Sequence, residues 1–392
     1  MFPGLLVKLR PTTPWRIAPE SGARDSVDSL YRSDSLYSAV TLAMRQLGRL
    51  DDWLAATALS EVPAVRFSCC YPFYGNTTYI VPPRNLWPPP PTSRVRWKSA
   101  RYVPISVVEK LVNDPDARLR DEEGWVVDPE SECLLPASPS GKQYGPFRTN
   151  LRAHAAVDRF TGVAADAVQT ACIEFAPNAG LWCLAVFANE DAEAQWAGPL
   201  AAAFRLLADT GFGGQRSRGW GRAADPDLQF GRFPDLLMRA PEIPEPVEAP
   251  TPSVTAANVG EAPLTAEPSA EGTGEPQAES PAPAPLPSSA APAPVETAYW
   301  LLSLFSPGQQ DSVDWDRGAY SILDRNGHTD PAIESPSGTR KRSLRMVAEG
   351  SVLLAHKPLR GAAPNVAPDQ HPHAVYRSGF ALAIPIAWRV VA

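Results

Sequence analysis

The sequence is poor in the residues that most often carry catalysis or hold metal. It has five histidines (His154, His328, His356, His371, His373) and five cysteines (Cys69, Cys70, Cys133, Cys172, Cys183) in 392 residues. The cysteines are odd in number and lack CxxC spacing, which argues against a disulfide framework and a zinc knuckle. No histidine or serine sits in a nucleophile motif such as GxSxG. His371 and His373 flank Pro372 in HPH, which reads more readily as a solvated loop than as a metal pair. The acidic pair Asp51-Asp52 falls in an amphipathic stretch and is expected to face solvent. No run of about 18 apolar residues suggests a membrane span. The opening MFPGLLVKLRPTTPW is too short in its apolar part, and too strand-like, for a signal peptide. The expectation is a cytoplasmic protein with no metal, no cofactor, no membrane partner and no catalytic residues.

A second absence divides the chain. Between Pro241 and Glu296 there is no lysine, arginine or aromatic residue, against 14 prolines and 9 glutamates. Such a segment cannot bury enough apolar surface to offset its ordering entropy, so 241–297 is predicted to be a disordered linker. As a flexible coil it would reach roughly 40 Å, further than two adjacent domains require, and it reads as a passive insertion. It also explains the net charge of −7. Outside it, basic and acidic residues balance at 26 each over 1–240, and 298–392 carries 10 basic against 8 acidic. Local clusters, rather than net charge, must therefore indicate partners.

What remains has clear periodicity. GLLVKLR (4–10) reads as a strand. In SDSLYSAVTLAMRQLGRLDDWLAA, residues Leu36, Val40, Ala43, Leu47, Leu50 and Leu54 recur at helical spacing, with Ser33 or Asp34 as the cap. Strands are expected at AVRFSCCYPF, at RVRWKSARYVPI and in a hairpin over AVQTACIEFAPNAGLWCLAVFA, followed by a helix near 195–208. This order suggests an α+β, ferredoxin-like (RRM-like, βαββαβ-derived) domain with an antiparallel sheet and insertions over 1–240. The block 298–392 reads mostly as strands, in AYWLLSLFS, GAYSILDRNG, RSLRMVAEGSVLLAH and AVYRSGFALAIPI. It is expected to be a second, abbreviated ferredoxin-like domain.

Basic and aromatic residues interleave at three places. In RVRWKSARY, Arg94, Arg96 and Lys98 would share one strand face, with Arg101 following, around Trp97 and Tyr102. That is either a charged edge strand or a phosphate-tracking face with stacking aromatics. FRTNLRAHAAVDR offers Arg148, Arg152, His154 and Arg159, and RKRSLR (340–345) offers four more cations; a solvated loop is the plain alternative for both.

The least ordinary stretch is GFGGQRSRGWGR (211–222), with five glycines and three arginines. It follows a helix and leads into a strand, the reverse of nucleotide loops, and it lacks both GxxxxGK[ST] and GxGxxG. A polymeric phosphate backbone is the better candidate, unless the loop is only a connecting turn. Gly211, Gly213, Gly214, Gln215, Arg216, Ser217, Arg218, Gly219 and Trp220 are its candidate contacts. Glycine N–H groups would approach phosphates, Arg216 and Arg218 would supply charge, and Phe212 or Trp220 would stack on a base or fill the core.

The loop resembles the G-x-G-G-x-R-S-x-G-x-G signature of the RAMP superfamily of CRISPR-associated RNA-binding proteins. RSDSLYSAV (32–40), AVDRFTG (156–162), EGSVL (349–353, with Ser351) and AVYRSGFALAIPI (374–386) further resemble the family of subunit four of type III-A Csm interference complexes. The resemblance runs end to end except for the linker and much of 110–145. It implies a non-catalytic subunit of an antiviral ribonucleoprotein. That subunit caps the foot of the complex, holds the crRNA 5′ handle and bridges the large polymerase-like subunit to the repeating backbone RAMP subunit, meeting target RNA only indirectly. Ser33, Asp34 and Ser35, at the start of the helix, are then expected near RNA. Where the family often carries a histidine after its first strand, this chain has Arg16, which keeps a positive charge but cannot shuttle a proton near pH 7. Two other readings stay open: a metal-independent RAMP endoribonuclease with His154 as general base, and the equivalent subunit of a type III-B Cmr complex.

Overall fold

The computed structural model describes residues 1–19, 21–88, 95–114, 124–138, 144–155, 157–163, 167–239, 296–329 and 338–388. The predicted linker lies outside these, except for its last two residues. Glu296 and Thr297 belong to the folded part: Glu296 pairs with Arg317 at 2.5 Å and lies 3.6 Å from His356. Residues 1–243 and 296–392 form one compact unit.

Within residues 1–239 the elements run β1 (Phe2–Leu9), α1 (Ser33–Gln46), α2 (Leu50–Ala56), β2 (Val65–Phe67), β3 (Tyr71–Tyr74), β4 (Thr77–Ile80), β5 (Val103–Pro104) and α3 (Ile105–Asn113). There follow β6 (Trp125–Val127), β7 (Leu134–Pro136), β8 (Phe147–His154), β9 (Val168–Phe175), β10 (Ala179–Phe187), α4 (Glu190–Thr210) and β11 (Asp227–Phe233). The main sheet has the order β11-β1-β10-β3-β4-β5, with β2 also on β10, and every pairing in it is antiparallel. All nine residues of β10 are buried, as expected of a central strand covered on both faces. Helix α4 begins at Asn189, whose side chain accepts the Ala192 N–H at 2.9 Å, and three acidic residues in its first turn suit the helix dipole. Its buried face carries Trp196, Leu200, Ala203, Phe204 and Leu207 at helical spacing, within the segment expected to be a helix.

The second block adds β12 (Thr297–Leu301), β13 (Val313–Ala319), β14 (Ile322–Arg325), β15 (Leu344–Val347), β16 (Val352–Ala355) and β17 (Ala383–Ile386). It contains no helix among the described residues. Its four-stranded sheet, β13-β16-β12-β17, is antiparallel. Alternation along the strands divides it strictly. Ala298, Trp300, Val352, Leu354, Ile384 and Ile386 join the core of the first block, while Tyr299, Leu301, Leu353 and Ala355 face a smaller cluster. Hydrogen bonds stitch the blocks together: Cys69 N–H and the Tyr71 side-chain O–H both donate to the Leu302 carbonyl, at 2.9 and 2.7 Å.

Three local expectations are corrected. The helix predicted through Leu54 breaks at Gly48, whose φ of +70° is left-handed, and continues as α2. RVRWKSARY forms no strand: Val95–Ser99 is a short 3-10 turn, in which Trp97 and Ala100, three residues apart, are both buried. Arg96 and Lys98 therefore stand on a turn and not on a period-2 strand face; Lys98 is exposed, whereas Arg94 and the Arg96 side chain lie outside the described residues. The predicted hairpin of β9 with β10 is also replaced. Both edges of β10 are taken, by β1 and by β2 and β3, so β9 pairs with β8 in a separate ribbon.

Candidate nucleic-acid interface

The Gly-rich loop runs from the end of α4 back to β11, and most of its glycines serve packing of backbone on backbone. Gly221 has φ +83°, and a Cβ there would lie 2.0 Å from the Phe212 carbonyl oxygen. Gly213 has φ +72°, and its Cβ would meet the Arg16 carbonyl at 2.4 Å. Phe212 is fully buried and stacks on Trp15 with centroids 5.0 Å apart. The N–H groups of Gly211, Gly214, Gly219 and Gly221 donate to the carbonyls of Leu207, Arg16, Arg216 and Pro14. Those glycines thus offer no N–H to a ligand, contrary to the simplest reading of the motif.

The loop's outward chemistry comes instead from the 3-10 turn Arg216–Arg218, which Gln215 and Gly219 flank in left-handed conformation. Arg216, Ser217 and Arg218 are exposed. The N–H groups of Gln215, Arg216 and Ser217 have no protein acceptor among the described residues. Adjacent N–H groups beside two guanidinium groups form an arrangement that accepts an anion. Trp220 is half-buried, edge-on to His154 at 6.1 Å, and His154 Nε2 is 2.9 Å from Thr170 Oγ1.

Arg216 stands at one wall of a cleft of about 660 Å³. Its other walls are the start of α1, with Ser35, and the second block, with His328, Arg340, Lys341 and Tyr376. RKRSLR thus contributes Arg340 and Lys341 to the same site as the Gly loop, although they lie far apart in sequence.

Asp34 holds this wall in place. It is buried, and its carboxylate takes Arg325 Nε and Nη2 at 3.0 and 2.9 Å, together with Arg377 Nη1. Arg325 Nη2 also donates to Ser35 Oγ at 3.0 Å, and Arg377 Nη2 to the Asn326 carbonyl at 3.1 Å. Burial pushes the Asp34 carboxyl up, but the two arginines outweigh it and hold it down at about 2. Asp34 does not act as a side-chain cap for α1, and the N–H groups of Ser33 and Ser35 are engaged within the protein. Ser33 N–H faces Cys69 Sγ at 3.4 Å, and Ser35 N–H donates to the Arg32 carbonyl and to Asp34 Oδ1.

The remaining expected contacts disperse. Ser33 is buried, and its Oγ accepts the Leu304 N–H at 3.0 Å. Ser351 is fully buried, its Oγ accepting the Ser321 N–H at 3.2 Å. Arg16 is buried, donating to the carbonyls of Arg24, Ser26, Ala171 and Ala23 at 2.7–3.2 Å, so it braces the loop from behind. Arg101 joins Arg32, Asp28 and Glu349 in an ion cluster linking the blocks. Arg152 pairs with Glu174 on the β8–β9 ribbon, and Arg159 is exposed beyond it. Arg325 and Arg377 were missed as site residues. Neither stands in a cluster of cations, and only the fold brings them to Asp34.

Residues 296–386 match the family model described as the CRISPR Csm4 C-terminal domain. Across nearly the whole length, the chain is similar to a chain in the crystal structure of a Csm3–Csm4 subcomplex of a type III-A CRISPR–Cas interference complex. The TM-score is 0.56 at 14% identity, covering 98% of this chain and 99% of that one. It is also similar to a chain in the crystal structure of a Csm1–Csm4 cassette in complex with cA4, with a TM-score of 0.50, 14% identity and 99% of both chains covered. At this identity the likeness speaks for the fold. No curated protein matches the sequence.

Proposed function

We propose that the chain, whose residues 296–386 match the Csm4 C-terminal domain, is a Csm4-type protein: the non-catalytic crRNA-binding subunit of a cytoplasmic type III-A interference complex in antiviral defence. In this reading it holds the 5′ handle of the crRNA at the Gly-loop cleft. It also bridges a large polymerase-like subunit and a repeating backbone subunit, as the solved Csm1–Csm4 and Csm3–Csm4 assemblies suggest by analogy. The order β11-β1-β10-β3, together with α1 and α4, supports treating the first block as a ferredoxin-like unit. The second block is its abbreviated relative.

The observation that carries the proposal is the exposed Arg216–Arg218 turn beside a cleft that Arg340 and Lys341 also line. Unpaired N–H groups and cations suit a phosphate backbone, and His328 and Tyr376 supply rings within the same cleft. Asp34 neutralises two further arginines and so positions that wall; it does not contact RNA in this reading. No chemical step is assigned to His154.

The test is anisotropy of a labelled handle RNA on the assembled complex. Arg216→Glu and Arg340→Glu should each weaken binding about ten-fold at low salt, and together about a hundred-fold, with a shallower salt dependence. Both positions are exposed, so melting temperatures should hold. Undiminished affinity in the double variant would move the handle elsewhere.

A further inference from the structure

A second groove lies away from the Gly loop, where the start of β1, β2 and the β17 edge of the second sheet meet. Its volume is about 1030 Å³. Phe2, Val62, Tyr299 and Ala383 make its walls largely apolar, with Phe2 45% and Val62 50% exposed. Among the described residues three cations line it, Arg66, Lys357 and Arg360, and no aspartate or glutamate does.

Arg66 is the informative residue. It is the middle residue of β2, which pairs only with β10. Its guanidinium lies over the Phe2 ring, 5.6 Å from the centroid, and Nη1 reaches the Ala381 carbonyl only at 3.4 Å. Nε is buried with no acceptor. No carboxylate pairs with it among the described residues; burial and then the charge of Arg360 lower its pKa. A half-buried guanidinium without a counter-charge is unfavourable in the isolated subunit. It becomes favourable when a partner supplies the missing carboxylate in a desolvated setting.

We propose that this groove receives an extended protein segment carrying a glutamate or aspartate between large apolar residues, the carboxylate pairing with Arg66 and the apolar side chains covering Phe2 and Tyr299. Ala383 and Pro385, alternate residues of β17, turn one face of that strand to the groove. The apolar walls favour protein over RNA: Arg66 lies inside the groove over the Phe2 ring, where a side-chain carboxylate flanked by apolar residues fits better than a phosphate backbone. The proposal rests on the chain working within a multi-subunit assembly.

The experiment reconstitutes the full-length chain with guide RNA, the large subunit and the backbone subunit, placing a photo-crosslinking residue at Val62. A crosslink to an acidic, apolar-flanked segment of one protein subunit is expected. Arg66→Glu should cut pairing with that subunit at least about ten-fold while guide retention holds. Arg66→Met removes the uncompensated charge, so the isolated chain should melt no lower than wild type while the same pairing falls. Crosslinks to RNA alone, no crosslink within an assembled complex, or full pairing by both Arg66 variants would overturn the groove assignment. A wild-type chain that joins neither subunit would overturn the assembly reading as well.

Discussion

Asp34→Asn is expected to be the most damaging single substitution in this protein, lowering stability by about 3–5 kcal/mol. The asparagine keeps the shape of the aspartate but withdraws the buried carboxylate that the guanidinium groups of Arg325 and Arg377 share. The cleft should lose its second-block wall at the same time, so handle binding falls with stability. Urea unfolding of the isolated protein measures the first effect. A triple variant, Asp34→Leu with Arg325→Met and Arg377→Met, separates lost charge balance from lost shape. Replacing all members of a buried ion cluster by apolar residues is often close to neutral, so it should recover much of the stability. A triple variant as unstable as Asp34→Asn would show that the carboxylate's hydrogen-bond geometry, rather than its charge, holds the wall.

The same residue dictates a pH dependence. The Asp34 carboxyl is held at about 2 in the folded protein, below its value of about 3.9 in an unfolded chain. Between those values the unfolded state binds more protons, so stability rises with pH. The contribution, roughly 2 kcal/mol, is complete above about pH 4 and is lost as the pH falls toward 2. Asp28, lowered by Arg32 and Arg101 against the upward push of burial, adds to the same slope. Asp34→Asn should therefore flatten the acid limb of the stability curve without abolishing it.

Gly221→Val carries the second large effect, a loss on the order of 3 kcal/mol. Its φ of +83° is left-handed, and the new Cβ would lie 2.0 Å from one backbone atom of Phe212 and 2.7 Å from another. That backbone cannot retreat easily, because the Phe212 N–H donates to the Gly221 carbonyl at 2.9 Å and its ring is stacked on Trp15. Gly213→Val should behave similarly against the Arg16 carbonyl. Gly214 is the useful contrast. Its φ is not left-handed, and the nearest atom to a Cβ is the flexible Arg16 side chain at 3.5 Å. Gly214→Ala should melt within about 0.5 kcal/mol of wild type, so any loss of handle binding would report on ligand contact alone. Calorimetry on the three variants, beside RNA anisotropy, checks the distinction. Equal destabilisation at Gly214 and Gly221 would refute the packing account of the loop.

Periodicity and composition were sufficient wherever one local rule dominates. The helix α4, the strand expected at 4–10, the start of α1 and the strand character of the second block are legible, because alternation and helical spacing record which face is removed from water. The Gly loop was legible as a feature for the same reason, since left-handed backbone favours glycine, as at Gly211, Gly213, Gly219 and Gly221. Its meaning was not. A glycine required by a neighbouring carbonyl and a glycine required by a phosphate look identical in sequence, and only the fold shows Pro14, Arg16 and Phe212 occupying the close approaches.

Charges were the least legible. Arg16, Arg101 and Arg152 looked available, yet carbonyls or carboxylates brought by other elements occupy them. Asp34 could not be matched to Arg325 and Arg377, because ion pairs between residues some 300 positions apart leave no local pattern. The same holds for Trp97, whose burial turned a presumed strand into a 3-10 turn. Local sequence determined which segments could be strand or helix; tertiary packing decided which charges stay free, because a charge is spent or spared by whatever the fold places next to it.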